Sequence, residues 1–269
     1  MRRADRLLRH GLVLLALTTL AGAALADCPR IVSQSPYITR ALQWFGLGKC
    51  IVGVSRYDTL DRPRTGGVMD PDVDAIFVLD PQLMITSDWT KPEVWQAATP
   101  PGAKAVRVGG FRSMADVEAM LRDIGHAAGV ADTDARVKRF HRDWRAAAKR
   151  ANGHGRRVLI IAACGGVPYS YGHDTVLYDL FTRAGYHVVE TADTLRHLRP
   201  GEQYQTIPQL VGALHPQALI ALVNQRSPSC NAELAQAGVP VVAIDDDKFV
   251  HPGPDLVEAL DELWEKSHD

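Results

Sequence analysis

Tyr57, Trp89, Tyr169 and Tyr204 are flat side chains set among polar neighbours, with Arg56, Asp88, Ser170 and Gln203 beside them. Aromatic residues make up only 7% of the sequence, so their recurrence at such positions is informative. Rings with polar tips recognise large, planar, partly apolar ligands through their faces and orient them through their edges. Pro36, Tyr37, Asp58, Arg226, Asp247 and His251 stand in comparable places and would add shape, charge and hydrogen bonds. The chemistry implied is recognition rather than bond making. HExxH, GxSxG, Walker A and GxGxxG are all absent. Ser170 and His173, three apart in one loop, form no catalytic triad. Asp58, Asp88, His173 and Asp246 could be assembled into a bare Zn or Mn site, but no compact histidine spacing supports it. "DDD" at 245–247 reads as a strand-end turn, and no CxxC spacing suggests zinc.

The elements that must position these residues alternate between strand and helix. "RIVSQ", "CIVGVS", "QLMITS" and "KAVRVGG" read as strands, with helices over Ile38–Phe45, through "DVDAIFVL" and through "SMADVEAMLRDIGHAAG". In the last, Val117, Met120, Leu121 and Ile124 fall at helical spacing, and Ser113 with Asp116 gives an N-cap signal. The same order returns from residue 157: "RVLIIAA", the helix "TVLYDLFTRAG", "YHVVET", "TIPQLVGALHPQALIALV", "VPVVAID" and "GPDLVEALDELW". Gly48 against Gly185, Pro81 against Pro216 and Val117 against Val257 keep nearly the same separation, as an internal repeat would. The expectation is an α/β protein of two similar Rossmann-like lobes, each with a parallel sheet. Between them Val137, Phe140, Trp144, Ala147 and Ala151 share one face of a single long helix of about 20 residues. Ligands of such sheets gather at the carboxyl ends of the strands, which is where the aromatic residues above fall.

Residues 1–26 have the layout of a secretory signal peptide, a basic start and an apolar run ending near Ala26. The remaining organisation is an N-terminal lobe over 27–130, a connecting helix over 131–153 and a C-terminal lobe over 154–269. Removal of the leader takes four Arg and one Asp, leaving 26 basic and 30 acidic residues. No basic face is announced, which argues against nucleic acid as a partner. Cys28, Cys50, Cys164 and Cys230 permit disulfides in an exported protein. Cys28 and Cys50 each precede a strand, and Cys164 and Cys230 each follow one, so two bridges are reasonable, with buried free thiols as the alternative.

"RIVSQSPYITRALQWFGLGKCIVGVSRYD", "DPDVDAIFVLDPQLMI" and the closing "HPGPDLVEAL" resemble the periplasmic binding proteins of ABC importers for vitamin B12 and ferric siderophores. The likeness covers essentially the whole chain after the leader. It implies a monomeric periplasmic receptor, not an enzyme and without a cofactor of its own, that clamps a metal chelate between its lobes and hands it to a permease. The chelate would be a corrinoid, a ferric siderophore used in iron transport, or haem. Residue by residue, the resemblance implies ligand contacts for Pro36, Tyr57, Trp89, Tyr169, Tyr204, Asp247 and His251, the last standing where an arginine is common. It also implies one acidic docking residue on each lobe. Asp74 matches the first; Gln209 occupies the second, with Glu202 as a substitute nearby. Arg56, Arg112 and Arg226 would favour an anionic siderophore, whereas the rings would favour a corrinoid or porphyrin.

Overall fold

A computed structural model describes residues 28–164, 166–223 and 234–268. The leader, Arg226 and Cys230 lie outside the described residues. Among the described residues no helix is long and apolar enough to cross a membrane.

In the first lobe β1 (Ile31–Ser33), β2 (Ile51–Val54), β3 (Leu83–Ser87) and β4 (Lys104–Val108) form a wholly parallel sheet in the order β2-β1-β3-β4. Helices α1 (Pro36–Trp44), α2 (Val73–Leu79), α3 (Pro92–Ala97) and α4 (Met114–Ala127) cover it. Each helix start follows from local chemistry. Pro36 and Pro92 occupy the first turn, where their missing N–H costs nothing. Asp72 and Ser113 accept hydrogen bonds from the Ala75 and Asp116 amides. The Asp116 carboxylate does not reciprocate, since it pairs with Arg112 at 3.0 Å. The short α3 has no periodic signal in the sequence and was not expected.

β1 and β2 pair with Ile31 opposite Ile51, which brings the residues just before them together. Cys28 and Cys50 are joined there by a disulfide with a Cα separation of 5.7 Å. The pairing expected of Cys164 falls on Cys230 and therefore lies outside the described residues.

The second sheet departs from the expectation of a parallel sheet. β5 (Arg157–Ala162), β7 (His187–Val188), β9 (Ala218–Val223) and β10 (Val241–Asp245) are parallel, but β6 (Tyr169–Tyr171) and β8 (Leu195–His197) run antiparallel to their neighbours. The path is β10-β9-β5-β6-β8, with β7 also on β5. The cause is chain length. A parallel neighbour needs a crossover of roughly a dozen residues or more, and the connection from Ala162 to Tyr169 is too short for one. "YHVVET" accordingly contributes only two paired residues as β7. Helices α6 (Val176–Arg183), α7 (Ile207–Leu214), α8 (Asp246–Phe249) and α9 (Leu256–His268) complete the described part of the lobe. Asp245 caps α8 by accepting from the Asp247 amide, so "DDD" begins a helical turn.

The connecting helix α5 (Thr133–Ala151) buries Val137, Phe140, Trp144, Ala147 and Ala151, the face read from the sequence. At 19 residues it spans roughly 28 Å. It packs against α4, α6 and α9, and one apolar cluster runs from Ile31 and Ile85 through Phe140 and Trp144 to Ile160 and Leu222. The alternate residues of the strands, Val32 and Met84 in one lobe and Leu159 and Ile161 in the other, feed separate outer cores. Gly153, just past the helix, leaves no room for a Cβ against the Tyr186 ring, so the exit from the connector is packed rather than loose.

Direct ties add to this shared core. The Val176 amide donates to the Phe111 carbonyl at 2.7 Å, and the Met114 amide at the start of α4 donates to Asp179 of the other lobe at 2.9 Å. Arg40 on α1 meets Asp247 at 2.7 Å and Asp255 at 2.6 Å. A shared core, backbone hydrogen bonds and a two-carboxylate clasp hold the lobes at a fixed spacing.

Candidate functional site

The site is built from β-strand ends, beginning with three rings in contact. Trp89 follows β3 and lies over Phe111, which follows β4, with centroids 4.4 Å apart and planes 26° from parallel. Phe111 meets Tyr37 edge-on at 4.9 Å. The Tyr37 hydroxyl donates to the Val108 carbonyl at 3.1 Å. Burial pushes the Tyr37 phenol far above its ordinary range, so it is a fixed neutral donor. This aromatic wall is first-lobe structure anchored to the sheet.

The second lobe supplies the facing wall. Tyr169 and Tyr171 of β6 have centroids 5.4 Å apart, and Val176, Leu177, Leu195, Phe249 and Val250 stand beside them. The cavity between the walls is about 600 Å³, a size ordinary for a small-molecule site. Tyr57 is 62% exposed, Met69 72% and Trp89 59%, and all three line this cavity. Large apolar side chains left in water around one cleft mark an interaction surface rather than a folding core.

Charge at the cleft is sparse. Among its described lining residues the charged groups are Asp70, Arg112 and Asp174, with His251 titratable. Asp70 is paired with Arg56, and Arg112 with Asp116. Among the described residues no three His, Cys, Asp or Glu side chains converge as a metal site would require.

His251 is held below its ordinary 6.5 first by burial and then by the nearby Arg40 guanidinium, against the opposing pull of Asp247, Asp255 and Asp58. The native imidazole therefore binds fewer protons than the unfolded one just below pH 6.5. Its contribution to stability is complete above that pH and is lost as the pH falls through the depressed native value. His251→Gln should consequently lose less melting temperature between pH 7.5 and pH 5 than the parent chain does, which thermal melts at the two pH values measure. Equal losses would show that this imidazole does not titrate differently in the native and unfolded states.

Comparison with known proteins places this architecture. No family model and no curated protein matches the sequence. Among solved structures, the periplasmic heme-binding protein RhuT from Roseiflexus sp. RS-1 superposes with a TM-score of 0.73 at 20% identity, covering 89% of this chain and 97% of that one. The periplasmic heme-binding protein HutB of Vibrio cholerae gives 0.74 at 15% identity, over 90% and 99% of the two chains. The periplasmic vitamin B12-binding protein BtuF of Vibrio cholerae gives 0.68 at 15% identity, over 89% and 96%. The fold is the two-lobed α/β fold of these binding proteins.

Within that fold the expected residues divide into groups. Pro36, Tyr37, Tyr57, Trp89, Tyr169 and His251 all line the cleft. Asp247 lies in an adjoining polar cavity, whereas Arg56 lines neither that cavity nor the cleft and sets its charge on Asp70 rather than on neighbouring Asp58. Arg226 lies outside the described residues. Tyr204 does not line the cleft. It sits in a neighbouring depression under Arg196, whose guanidinium carbon is 5.3 Å from the ring centroid. The reason is strand alternation: on β8 the side chain of Arg196 points to the face opposite the cleft, and Tyr204 follows it.

Asp74 is exposed on α2, whereas Gln209 is committed to its own helix. Its side-chain oxygen accepts from the Gln205 backbone N–H at 2.8 Å, and its own backbone N–H donates to the Thr206 hydroxyl at 3.3 Å. Glu202 pairs with Arg199 at 3.1 Å. Sequence reasoning did not single out Phe111, Met69, Leu177 or Phe249. Phe111 had a signal, an aromatic directly after a strand and two glycines; Met69, in a long loop, had none.

Proposed function

We propose that this chain is a periplasmic substrate-binding protein that captures a flat, largely apolar metal chelate between its lobes and delivers it to an ABC importer. The observation that carries the reading is the ring of exposed Tyr57, Met69 and Trp89 around an apolar cleft of about 600 Å³. A tetrapyrrole-type macrocycle, haem or a corrinoid, suits two facing aromatic walls. A ferric siderophore suits them less, because the described lining offers Arg112 as its cation and that residue already pairs with Asp116. The fold likeness to heme-binding and vitamin B12-binding proteins supports the same class. Export, with cleavage near Ala26, accords with that role. The lobes deliver ligand without wide hinge motion, since one core runs through both. Asp74 is the proposed permease contact on the first lobe, and the committed Gln209 side chain leaves docking lopsided.

Native mass spectrometry of the chain from residue 27, mixed with cobalamin, cobinamide, haem, ferric siderophores and Zn²⁺, tests the reading. A one-to-one adduct with a macrocyclic chelate is expected. An adduct with Zn²⁺ alone would overturn it.

A further inference from the structure

The overall charge of the chain conceals a segregated one. After the leader it carries 26 basic and 30 acidic residues, yet α5 alone has seven Lys and Arg against two Asp. Lys138, Arg142, Arg145 and Lys149 recur at helical spacing on one exposed face, a stripe of roughly 16 Å. The ion pairs of α5 are made by other residues, Arg136 with Asp132 at 2.9 Å and Arg150 with Asp261 at 2.6 Å. Among the described residues none of the four stripe cations has a carboxylate partner. Asp134 turns to His126 and Arg122 on α4, at 3.4 and 3.9 Å, and Asp143 lines a groove on the opposite flank of the helix.

The stripe lies at the end of the molecule remote from the cleft. α1 begins at Pro36 in the cleft wall and ends at Trp44, whose carbonyl accepts from Arg136 of α5 at 3.5 Å. α6 likewise begins at Val176 in the cleft, and the carbonyl of Ala184 at its far end accepts the Gly153 amide at 2.7 Å. A helix length of about 12 Å therefore separates α5 from the cleft. Beside the stripe runs a groove of about 530 Å³ lined by Arg145, Lys149 and Arg183. The guanidinium carbons of Arg145 and Arg183 stand 5.3 and 5.9 Å from the Trp144 ring centroid. Among the described residues no large apolar side chain of α5 is exposed. Such a face lacks the apolar anchors that a specific protein interface needs. Clustered cations on a straight helix are what an anionic bilayer attracts, and each one held near it favours adsorption by roughly fivefold.

We propose that the outer face of α5 is an adsorption surface for bilayers rich in anionic phospholipid. Lys138, Arg142, Arg145 and Lys149 are its contacts, and the groove beside Arg183 receives phosphate headgroups. Four cations together favour the anionic surface by on the order of several hundredfold, and added salt removes most of that gain because every contact is exposed. Adsorbed by this face, the chain holds its cleft away from the bilayer and open to ligand. That consequence rests on the receptor reading above; the adsorption does not.

The test is co-sedimentation of the chain from residue 27 with vesicles of phosphatidylcholine alone, or of phosphatidylcholine mixed equally with phosphatidylglycerol. At low salt the chain should partition onto the mixed vesicles at least about tenfold better, and high salt should abolish the difference. Arg142→Glu should lower that partition by roughly tenfold or more. Lys91→Glu makes an equal charge change close to Trp89, on the cleft side of the first lobe, and should lower it by less than about threefold. Both side chains are exposed, so neither change threatens the fold. No preference for the mixed vesicles, or equal losses in the two variants, would overturn the proposal. Binding to poly-L-glutamate without binding to the mixed vesicles would overturn it in favour of an acidic polypeptide. Vesicle partition needs no chelate, so the receptor reading stands or falls separately on the chelate titrations.

Discussion

Trp89→Ala should weaken binding of the macrocyclic chelate by roughly 30-fold while moving the melting temperature little. The two halves of that expectation have one cause. Trp89 is 59% exposed and its partner Phe111 is half-buried, so the indole contributes little to the core. Loss of the ring pair costs folding on the order of 1 kcal/mol. A bound macrocycle would cover the exposed indole face, and truncation of an aromatic anchor at the centre of an interface commonly costs about 2 kcal/mol or more. Calorimetric titration with the ligand found by mass spectrometry, together with a thermal melt, separates the two. Trp89→Phe should recover most of the affinity, because a flat ring still stacks on Phe111. A variant that melts several degrees lower and binds normally would assign Trp89 to packing and remove it from the site.

What could be read from the sequence follows the range over which each signal acts. Ile31 and Ile51 begin apolar runs preceded by cysteines, and parallel pairing of those runs brings Cys28 to Cys50. The face of α5 from Val137 to Ala151 is a matter of helical period, and the structure buries the same residues. The second-lobe edge was not legible. "YSY" and "LRH" are three residues each, too short for any period, and their antiparallel pairing is set by the short return from β5. Strand alternation there sends Tyr169 and Tyr171 toward the cleft and Arg196, with Tyr204, away from it. The sequence marks Tyr169 and Tyr204 alike as polar-rimmed aromatic residues but carries no sign that they take opposite faces. Phe111 shows the reverse case: its position after β4 was legible, but its pairing with Trp89 depends on β3 and β4 being neighbours.

The buried carboxylate behind that edge should have the largest effect on stability of any single group near the site. Glu190 is 1% exposed and joins three segments. Its Oε1 takes the Thr191 and Ala192 amides at 2.7 and 2.8 Å and Arg196 Nε at 2.9 Å; its Oε2 takes the Ser170 hydroxyl. Burial alone would raise its carboxyl, but Arg196, Ser170 and the two amides outweigh it and hold the group below its ordinary 4.5. Ser170 and Arg196 are paired across β6 and β8, so Glu190 grips both strands on the face opposite Tyr169 and Tyr171.

Arg196→Leu leaves that carboxylate buried without its counter-charge and should cost about 3 kcal/mol, lowering the melting temperature by roughly 6–12 °C. The paired change Glu190→Gln with Arg196→Leu removes the charge as well and should recover part of the loss, which makes the coupling measurable as a double-mutant cycle. Acid has the same target. The native Glu190 carboxyl titrates below the unfolded one, so its contribution is complete above about pH 4.5 and disappears as the pH falls through the native value. If Arg196→Leu alone melts like the parent chain, Glu190 does not hold the β6–β8 edge. If it melts low, chelate affinity should fall with it, because the strand that presents Tyr169 and Tyr171 has lost its support from behind.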